Sequence, residues 1–297
     1  MASYVIITPA YNEAAYLGAT IDGVVQQTIR PKRWVIVDDG SQDETPRVAQ
    51  EACTRYPWIQ YYRRERSTDH TYYASNVYAI REGVRCVDAV EYDYLAILDA
   101  DISLPPDYYA QILQRFEQHL RLGIASGVYV DRMHNGFRKV LNDRRSTPKA
   151  LMVFRRGCYE DIEGFLPMKY GGEDTCACFA ARMAGWQTWS FPDLVAIHNK
   201  PAGTGQARGP LRIRFRMGIS EYFIGSSPLF VVAKAIRRCF REPPMVVGGL
   251  ARLAGYVAGF MMGESRQVPA DLIRFIRREQ RQRVLEFNRI SSTTKLG

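Results

Sequence analysis

The sequence is poor in the features that mark a disulfide-bonded or zinc-binding protein. Its 297 residues include six cysteines, and none of them forms a Cys-x-x-Cys pair. We therefore expect free thiols in a reducing compartment and no structural zinc site. Residues 4–7 are already apolar, with no charged stretch or long apolar stretch before them, so no secretory signal is expected. An internal repeat and a low-complexity tract are also lacking.

Apolar runs that could cross a membrane are scarce too. Residues 245–262 approach the length of about 20 residues that spans a bilayer. Arg252 lies near the middle of this run, where a charge costs roughly 2.5–3.5 kcal/mol on insertion scales. Helices lying in the membrane interface are therefore favoured over a spanning helix. The alternative is an ordinary buried helical subdomain with a solvated basic face.

Positive charge is concentrated in the last third of the chain. Residues 200–297 hold 18 Lys/Arg and 6 Asp/Glu, a balance of +12, whereas residues 1–199 hold 22 and 25, a balance of −3. Such a basic region indicates an acidic partner: a phospholipid surface, nucleic acid or an anionic substrate. Because residues 271–286 have the pattern of an Arg-rich amphipathic helix, we favour an anionic membrane surface and expect no nucleic acid partner.

Short apolar segments alternate with helical patterns before this basic region. Residues 4–8, 33–37 and 94–98 are typical of strands that are buried on both faces. The alternation predicts an α/β fold, with a mostly parallel sheet and helices on both faces. Each of the three strands runs into a polar turn. In such a sheet these turns lie along one edge, where they outline a nucleotide-sized crevice.

Acidic pairs occur after the third strand and at the start of a later helix. Asp99 and Asp101 follow the strand at 94–98, and two carboxylates at a strand end suit Mg²⁺ or Mn²⁺, unless they merely form an Asp-rich turn. Residues 171–174, Gly-Gly-Glu-Asp, open a predicted helix. The glycines permit a close approach to a ligand, and the helix dipole favours the acids as anions. A simple helix-terminal charge pair is the alternative.

Four motifs together resemble the family 2 glycosyltransferases of the GT-A fold, over roughly residues 3–200. They are Thr8-Pro9-Ala10-Tyr11-Asn12-Glu13, Val37-Asp38-Asp39-Gly40-Ser41, Asp99-Ala100-Asp101 and Gly172-Glu173-Asp174. The resemblance implies a Rossmann-like GT-A domain over residues 1–200 that binds the nucleotide-sugar. A helical, basic, amphipathic region over residues 201–297 would follow, and the Gly- and Pro-rich residues 201–210 are the expected boundary.

The resemblance also implies how the donor nucleotide is held. Pro9, Tyr11 and Glu13 would shape the nucleotide pocket. Asp39 would accept the uracil imide N–H, and Asp38 would support the loop beside it. Both aspartates could instead be plain turn residues. The residue facing the pyrophosphate is left open, with three arginines as candidates: Arg63, Arg64 and Arg66.

The remaining motif residues would carry the chemistry. By the same resemblance, Asp99 would contact the ribose or the water shell of the metal, and Ala100 belongs to the same nucleotide-sugar site. Asp101 would ligate Mn²⁺ or Mg²⁺, with His198 as a further ligand. A histidine satisfied by ordinary hydrogen bonds is the alternative for His198. Asp174 would be the general base that deprotonates the acceptor hydroxyl.

These roles predict a metal-dependent, inverting glycosyltransferase that uses a nucleotide diphosphate-sugar, with a UDP-sugar favoured. No Gln-x-x-Arg-Trp motif follows residue 200, so a single sugar addition is expected rather than processive synthesis. The expected acceptor is a polyprenyl-linked glycan or another envelope or exopolysaccharide precursor, and the expected location is the cytoplasmic face of the inner membrane, as a peripheral or monotopic protein. A non-catalytic, membrane-associated nucleotide-sugar-binding protein is the main rival, and a nucleotidyltransferase is a weaker one.

Overall fold

The computed structural model describes residues 2–133, 135–139, 143–200, 209–240 and 244–293, with side chains described through residue 285. The chain divides into two compact units. The first unit comprises Met1–Lys169 and Glu173–Ala202, and the second comprises Tyr170–Gly172 and Gly203–Gly297. Most of the predicted boundary segment, residues 201–208, lies outside the described residues.

The first unit is built on one sheet, which has nine strands within the described residues. The strand order is β3-β2-β1-β4-β8-β6-β9-β5, and β7 pairs with β6 outside this path. Six strands run in one direction, whereas β5, β7 and β8 run in the other. The strands are β1 (Tyr4–Ala10), β2 (Arg33–Asp38), β3 (Ile59–Arg63), β4 (Tyr94–Ile97), β5 (Ile102–Ser103), β6 (Leu122–Met133), β7 (Gly136–Lys139), β8 (Val153–Arg155) and β9 (Gln187–His198).

Helices cover both faces of this sheet. Alternate residues of β1 point to opposite sides, so that Tyr4 and Ile6 pack with α1, α2 and α4 while Val5 and Ile7 pack with α3, α5 and α6. All four side chains are buried, which explains why the first half of the strand is apolar at each of these positions. The predicted α/β class is confirmed. The helices are α1 (Ala14–Val25), α2 (Thr45–Arg55), α3 (Tyr72–Arg85), α4 (Tyr108–Gln118), α5 (Arg156–Asp161) and α6 (Glu173–Met183).

The three predicted polar turns do lie along one edge of the sheet. Strand β1 is parallel to both of its neighbours, with Ala10 opposite Asp38 and Ile7 opposite Ile97. Asn12 links the first two turns, because its Oδ1 accepts a hydrogen bond from the Gln42 amide at 2.8 Å. The backbone of Asn12 has a φ of +54°, a left-handed conformation that asparagine tolerates better than most residues.

The second unit is helical, as predicted. Its helices are α7 (Pro210–Ile224), α8 (Pro228–Cys239), α9 (Met245–Met261) and α10 (Ala270–Thr293). Helices α7 and α9 cross with their backbones in contact. A Cβ added at Gly218 would lie 2.0 Å from the Arg252 carbonyl oxygen, and one added at Gly255 would lie 1.9 Å from that of Phe215. Among the described residues, no helix combines the length and the apolarity needed to span a membrane.

The case against a membrane-spanning helix assumed that the charge of Arg252 would lie in the bilayer. In this fold, Arg252 does not face a membrane. Its side chain is buried inside the second unit and lies 3.6 Å from the Glu221 carboxylate, which also pairs with Lys234 at 2.5 Å. Burial alone would raise the pKa of Glu221, but the two cations outweigh burial and lower it to about 2. Lys234 shares this one carboxylate with Arg252, so burial dominates and its pKa falls.

Candidate active site

The two acids after β4 are fixed by backbone hydrogen bonds. The Asp99 amide donates to the Ala150 carbonyl at 3.1 Å, and the Asp101 carbonyl accepts from the Asn199 amide at 2.8 Å. Asp101 is buried, and its Oδ1 has no hydrogen-bond partner among the described residues. A buried carboxylate oxygen without a partner is costly, so this atom is suited to a ligand or an ion.

His198 connects Asp101 to a third acid. Strand pairing places His198 opposite Ile102 on β5 and opposite Asp131 on β6. Its Nε2 lies 3.2 Å from Asp101 Oδ2, and its Nδ1 lies 3.0 Å from Asp131 Oδ1. Burial alone would lower the pKa of His198, but the two carboxylates raise it to about 9. No signal in the sequence singled out Asp131, because its partner lies on another strand.

Asp101 and His198 are the residues here that could hold a divalent cation. Across the described part of the chain, no group of three or more His, Cys, Asp or Glu side chains could do so alone. Two protein ligands still fit such an ion, because Mg²⁺ is often bound by one or two carboxylates together with substrate phosphates. The free Oδ1 of Asp101 is one such donor, and His198 Nε2, which now contacts Asp101 Oδ2, would become the second once it loses its proton to the entering ion's charge.

Glu13 belongs to the same group of acids at the strand ends as Asp99 and Asp101, which we call the acidic edge of the sheet. Its Oε1 accepts from Lys200 Nζ at 2.7 Å, and its Oε2 is buried without a partner among the described residues. Burial raises the pKa of Glu13 to about 7, with Lys200 opposing this and the charges of Asp101 and Asp99 adding to it. Glu13 therefore shares the electrostatic environment of the predicted metal site. Lys200 was not identified from the sequence.

Asp39 lies in a second cluster, where two of the candidate arginines contact it. Arg64 donates to Oδ1 and Arg66 donates to Oδ2, each at 2.7 Å, and the Ser75 hydroxyl also donates to Oδ2. The Arg66 guanidinium lies 3.9 Å above the Tyr11 ring. Tyr11 and Asp39 are thus brought together, and two of the three arginines considered for the pyrophosphate, Arg64 and Arg66, contact Asp39, whereas Arg63 lies 3.2 Å from Asp38 Oδ2.

Three other predicted nucleotide-site residues are deeply buried. Asp38 accepts hydrogen bonds from the Ser41 amide and the Tyr61 hydroxyl at 2.8 Å each, so it supports the turn after β2. Pro9 lies within β1, and the Ala100 carbonyl accepts from the Thr20 hydroxyl at 2.8 Å. The Ala100 carbonyl thus helps to fix the turn between the two acids.

Glu173 and Asp174 open helix α6, as the sequence predicted. Asp174 Oδ1 accepts from the Thr175 amide at 2.6 Å, and Glu173 Oε2 is buried without a partner among the described residues. Burial raises the pKa of both acids, and their mutual repulsion adds to this for Glu173. Both acids also interact with the charge of Lys149, which was not identified from the sequence.

Packing requires a glycine directly before this acidic pair, at Gly172. Gly171 and Gly172 have φ values of +82° and +104°, which favour glycine. A Cβ at Gly172 would lie 2.5 Å from Ile224 Cδ1 and 2.8 Å from Ser220 Oγ. The space that a side chain would need is thus filled by helix α7 of the same unit.

Two tyrosines complete the acidic edge. Burial raises the pKa of Tyr72, and the charges of Asp99, Glu13 and Asp101 raise it further, so its hydroxyl stays protonated. Tyr129 behaves in the same way, and its ring centroid lies 5.0 Å from that of His198. Tyr72 packs edge-on against Tyr73 and also faces the acids.

The sequence matches a known family over most of the first unit. Residues 5–183 match the model of a family described as glycosyl transferase family 2. Chondroitin synthase from Escherichia coli is 27% identical over 171 residues, which cover 54% of this chain and 24% of that protein. The chain thus spans about a quarter of the length of this relative.

Two solved structures are similar in fold. The mannosyltransferase PcManGT from Pyrobaculum calidifontis, solved with GDP-Man and Mn²⁺, is 20% identical, with a TM-score of 0.57 over 89% of this chain and 76% of that one. TarS 1-349 from S. aureus, solved with UDP-GlcNAc, is 15% identical, with a TM-score of 0.56 over 74% of this chain and 66% of that one. Together with the family match, this likeness confirms the predicted GT-A-like fold and the glycosyltransferase class.

Proposed function

The chain belongs to glycosyl transferase family 2, and on this premise we propose that it transfers one sugar from a nucleotide diphosphate-sugar to an acceptor hydroxyl, with inversion. The observation that carries the proposal is the acidic edge of the sheet. There Asp101 has a buried, unpartnered carboxylate oxygen beside His198, and a second acidic pair lies at the start of α6. The donor and the acceptor would meet between these two groups.

The donor base would bind at Tyr11 and Asp39. A carboxylate offers about four acceptor positions, and Arg64, Arg66 and Ser75 use three of those on Asp39. One position remains for an N–H donor of the base, and because the family resemblance implies the imide N–H of uracil, we favour a UDP-sugar. The mannosyltransferase neighbour was solved with GDP-Man and the TarS neighbour with UDP-GlcNAc, so both nucleotides must be tested.

Asp101 and His198 would hold Mn²⁺ or Mg²⁺. When bound, such an ion neutralises the charge that develops on the leaving diphosphate. Asp174 would take the proton of the acceptor hydroxyl, a step typically worth 10²–10⁴-fold in rate. Burial raises the pKa of Asp174, which brings it closer to the pH at which a general base works best. Assignment of the product anomer by NMR tests inversion, and a retained configuration would overturn it.

Thermal shift with a panel of nucleotide diphosphates tests the donor site. At a hundred times Kd, a ligand adds about 2.7 kcal/mol of stability. We expect UDP to stabilise the protein in the presence of Mn²⁺, and Asp101→Ala to abolish the metal-dependent part. Stabilisation by GDP alone would move the donor to another sugar class. Binding without transfer or hydrolysis of any UDP- or GDP-sugar would favour the rival, a non-catalytic nucleotide-sugar-binding protein.

The acceptor would be a polyprenyl-linked or other envelope or exopolysaccharide glycan at the cytoplasmic face of the inner membrane. The support comes from an exposed apolar surface on the second unit, which we call the apolar face. It repeats at helical spacing on two helices. On α8 and the residue after it, the apolar face includes Leu229, Val232, Ile236 and Phe240, and on α9 it includes Val246, Leu250, Val257 and Met261.

The charge around the apolar face favours an anionic membrane over a second protein. Glu221 is the one acidic side chain among the described residues from 209 to 262, and it is buried. Arg237 and Arg238 lie at the end of α8. Exposed apolar side chains next to cations are typical of helices that lie in the interface of an anionic bilayer. The second unit would therefore bind the membrane peripherally.

Flotation of the full-length protein with vesicles containing phosphatidylglycerol tests this surface. Burying a leucine is worth about 1.5–3 kcal/mol, so Leu229→Glu with Leu250→Glu should weaken binding by at least about 100-fold. Leu120→Glu is the matched control, because Leu120 is 78% exposed and belongs to the first unit. Equal flotation of the double variant and the control would remove the membrane from the proposal.

A further inference from the structure

A lysine outside all of the sequence motifs is placed among the active-site acids. Lys149 begins a short 3-10 turn over Lys149–Leu151, just before β8. Its Nζ lies 2.5 Å from Asp99 Oδ1, and its side chain is only 13% exposed. An ammonium group that is withdrawn from water in this way is costly unless carboxylates compensate it. The site thus holds a cation whose position is fixed by the acids around it.

The same turn reaches the acids of helix α6. The charge of Lys149 acts on both Glu173 and Asp174, and the Lys149 backbone also lowers the pKa of Asp174. Its neighbour Ala150 accepts a hydrogen bond from the Asp99 amide at 3.1 Å. One turn therefore connects the acid at the end of β4 with the acids at the start of α6.

We propose that Lys149 is a positioning residue. It holds Asp99 in place and keeps Asp174 ionised, so that Asp174 can take the proton of the acceptor hydroxyl. The proposal rests on the proposed function, because it takes Asp174 as the general base. It adds a residue that no sequence motif identifies, and it explains how two adjacent buried acids can coexist. Lys149 supplies the opposite charge that such a pair requires.

The groups that face Asp174 support this role. Glu173 is the adjacent acid, and the charge of Asp99 reaches Glu173 as well. Tyr129 and Cys178 also face Asp174, and burial raises the pKa of each, so both stay neutral near pH 7. Of the described groups named here, Lys149 carries the positive charge. Without Lys149, repulsion from Glu173 would raise the pKa of Asp174. Asp174 would then become protonated, and stop acting as a base, at a higher pH than in the wild type.

The test compares full-length Lys149→Met and Lys149→Arg enzymes with Lys32→Met, which removes an exposed lysine elsewhere on the first unit. The readout is kcat/KM against pH at saturating metal. We expect Lys149→Met to shift the acidic limb of this profile to higher pH by about one unit, which is a tenfold loss of kcat/KM at any pH on that limb. Lys149→Arg should restore most of the activity, and Lys32→Met should match the wild type.

An acidic limb that stays unchanged in Lys149→Met would overturn the proposal. If the donor KM rises while the limb stays unchanged, Lys149 is a donor contact instead. If Lys149→Met does not fold, Lys149→Gln keeps a hydrogen-bond donor for Asp99 without the charge and serves the same comparison. A wild-type enzyme that transfers no sugar would instead refute the proposed function.

Discussion

Two alanine substitutions on helix α9 should have opposite effects on the second unit. Gly255 faces the α7 backbone, where an added Cβ would lie 1.9 Å from the Phe215 carbonyl oxygen. At Gly248 on the same helix, the nearest atom would be Pro244 Cδ at 3.5 Å, an ordinary contact. The two positions share a helix and a chemical change, and they differ in the space available.

The structure sets the size of each effect. Alanine is favoured over glycine inside a helix by up to about 1 kcal/mol, so Gly248→Ala should stabilise the unit by no more than that. Gly255→Ala gains the same helix preference of up to about 1 kcal/mol. It also forces two backbones apart by roughly 1 Å, because real Cβ atoms essentially never come closer than 3.0 Å to such neighbours. Overpacking costs typically about 1–3 kcal/mol. We take the upper end, since neither backbone can rotate away, and expect a net loss of about 2 kcal/mol.

Hydrogen exchange measured by mass spectrometry suits this comparison, because it reports on α7 and α9 peptide by peptide. A loss of about 2 kcal/mol should increase opening of these helices roughly thirtyfold in Gly255→Ala. Gly248→Ala should exchange no faster than the wild type, and peptides of the first unit serve as an internal reference. Wild-type exchange in Gly255→Ala would show that the helices do not cross in backbone contact.

Two further predictions follow from buried charges. Glu221→Gln leaves the buried Arg252 and the half-buried Lys234 without their carboxylate, so urea denaturation at pH 7 should show a loss of roughly 3 kcal/mol. The pKa of Glu221 is lowered to about 2 in the folded protein. Its charge therefore contributes its full stabilisation of the fold at any pH above the ordinary pKa of a glutamate. This stabilisation is lost as the pH falls toward 2, so the gap between wild type and variant should narrow over that range, and a gap independent of pH would contradict the assignment. Asp174→Asn should leave stabilisation by UDP intact and lower kcat by about 10²–10⁴-fold; a wild-type kcat would exclude Asp174 as the base.

Local patterns in the sequence predicted much of the fold. The runs at 4–8, 33–37 and 94–98 are apolar at almost every position because both faces of these strands are buried. The polar turns after them lie on one edge because parallel neighbours share their carboxyl ends. These are short-range properties, and a single sequence carries them directly.

The partners of the site residues were beyond such reasoning. Glu13 pairs with Lys200, and His198 pairs with Asp131, across 187 and 67 residues of chain. The register between β6 and β9 sets the second pairing, and local periodicity does not encode the register between distant strands. The same limit explains why Arg64 and Arg66 were considered for the pyrophosphate, although they contact Asp39.

The sequence by itself determined the α/β order, the acidic strand ends and the basic helical region, because each depends on residues that are close in the chain. Tertiary structure alone decided which acid acquires which counter-ion. Strand β8 pairs with β4 in the antiparallel direction, and the turn before it brings Lys149 to Asp99. Packing of α7 against α9 places Arg252 beside Glu221 inside the protein. Pairs of opposite charge form wherever the fold brings them together, and that proximity arises only when the whole chain has folded.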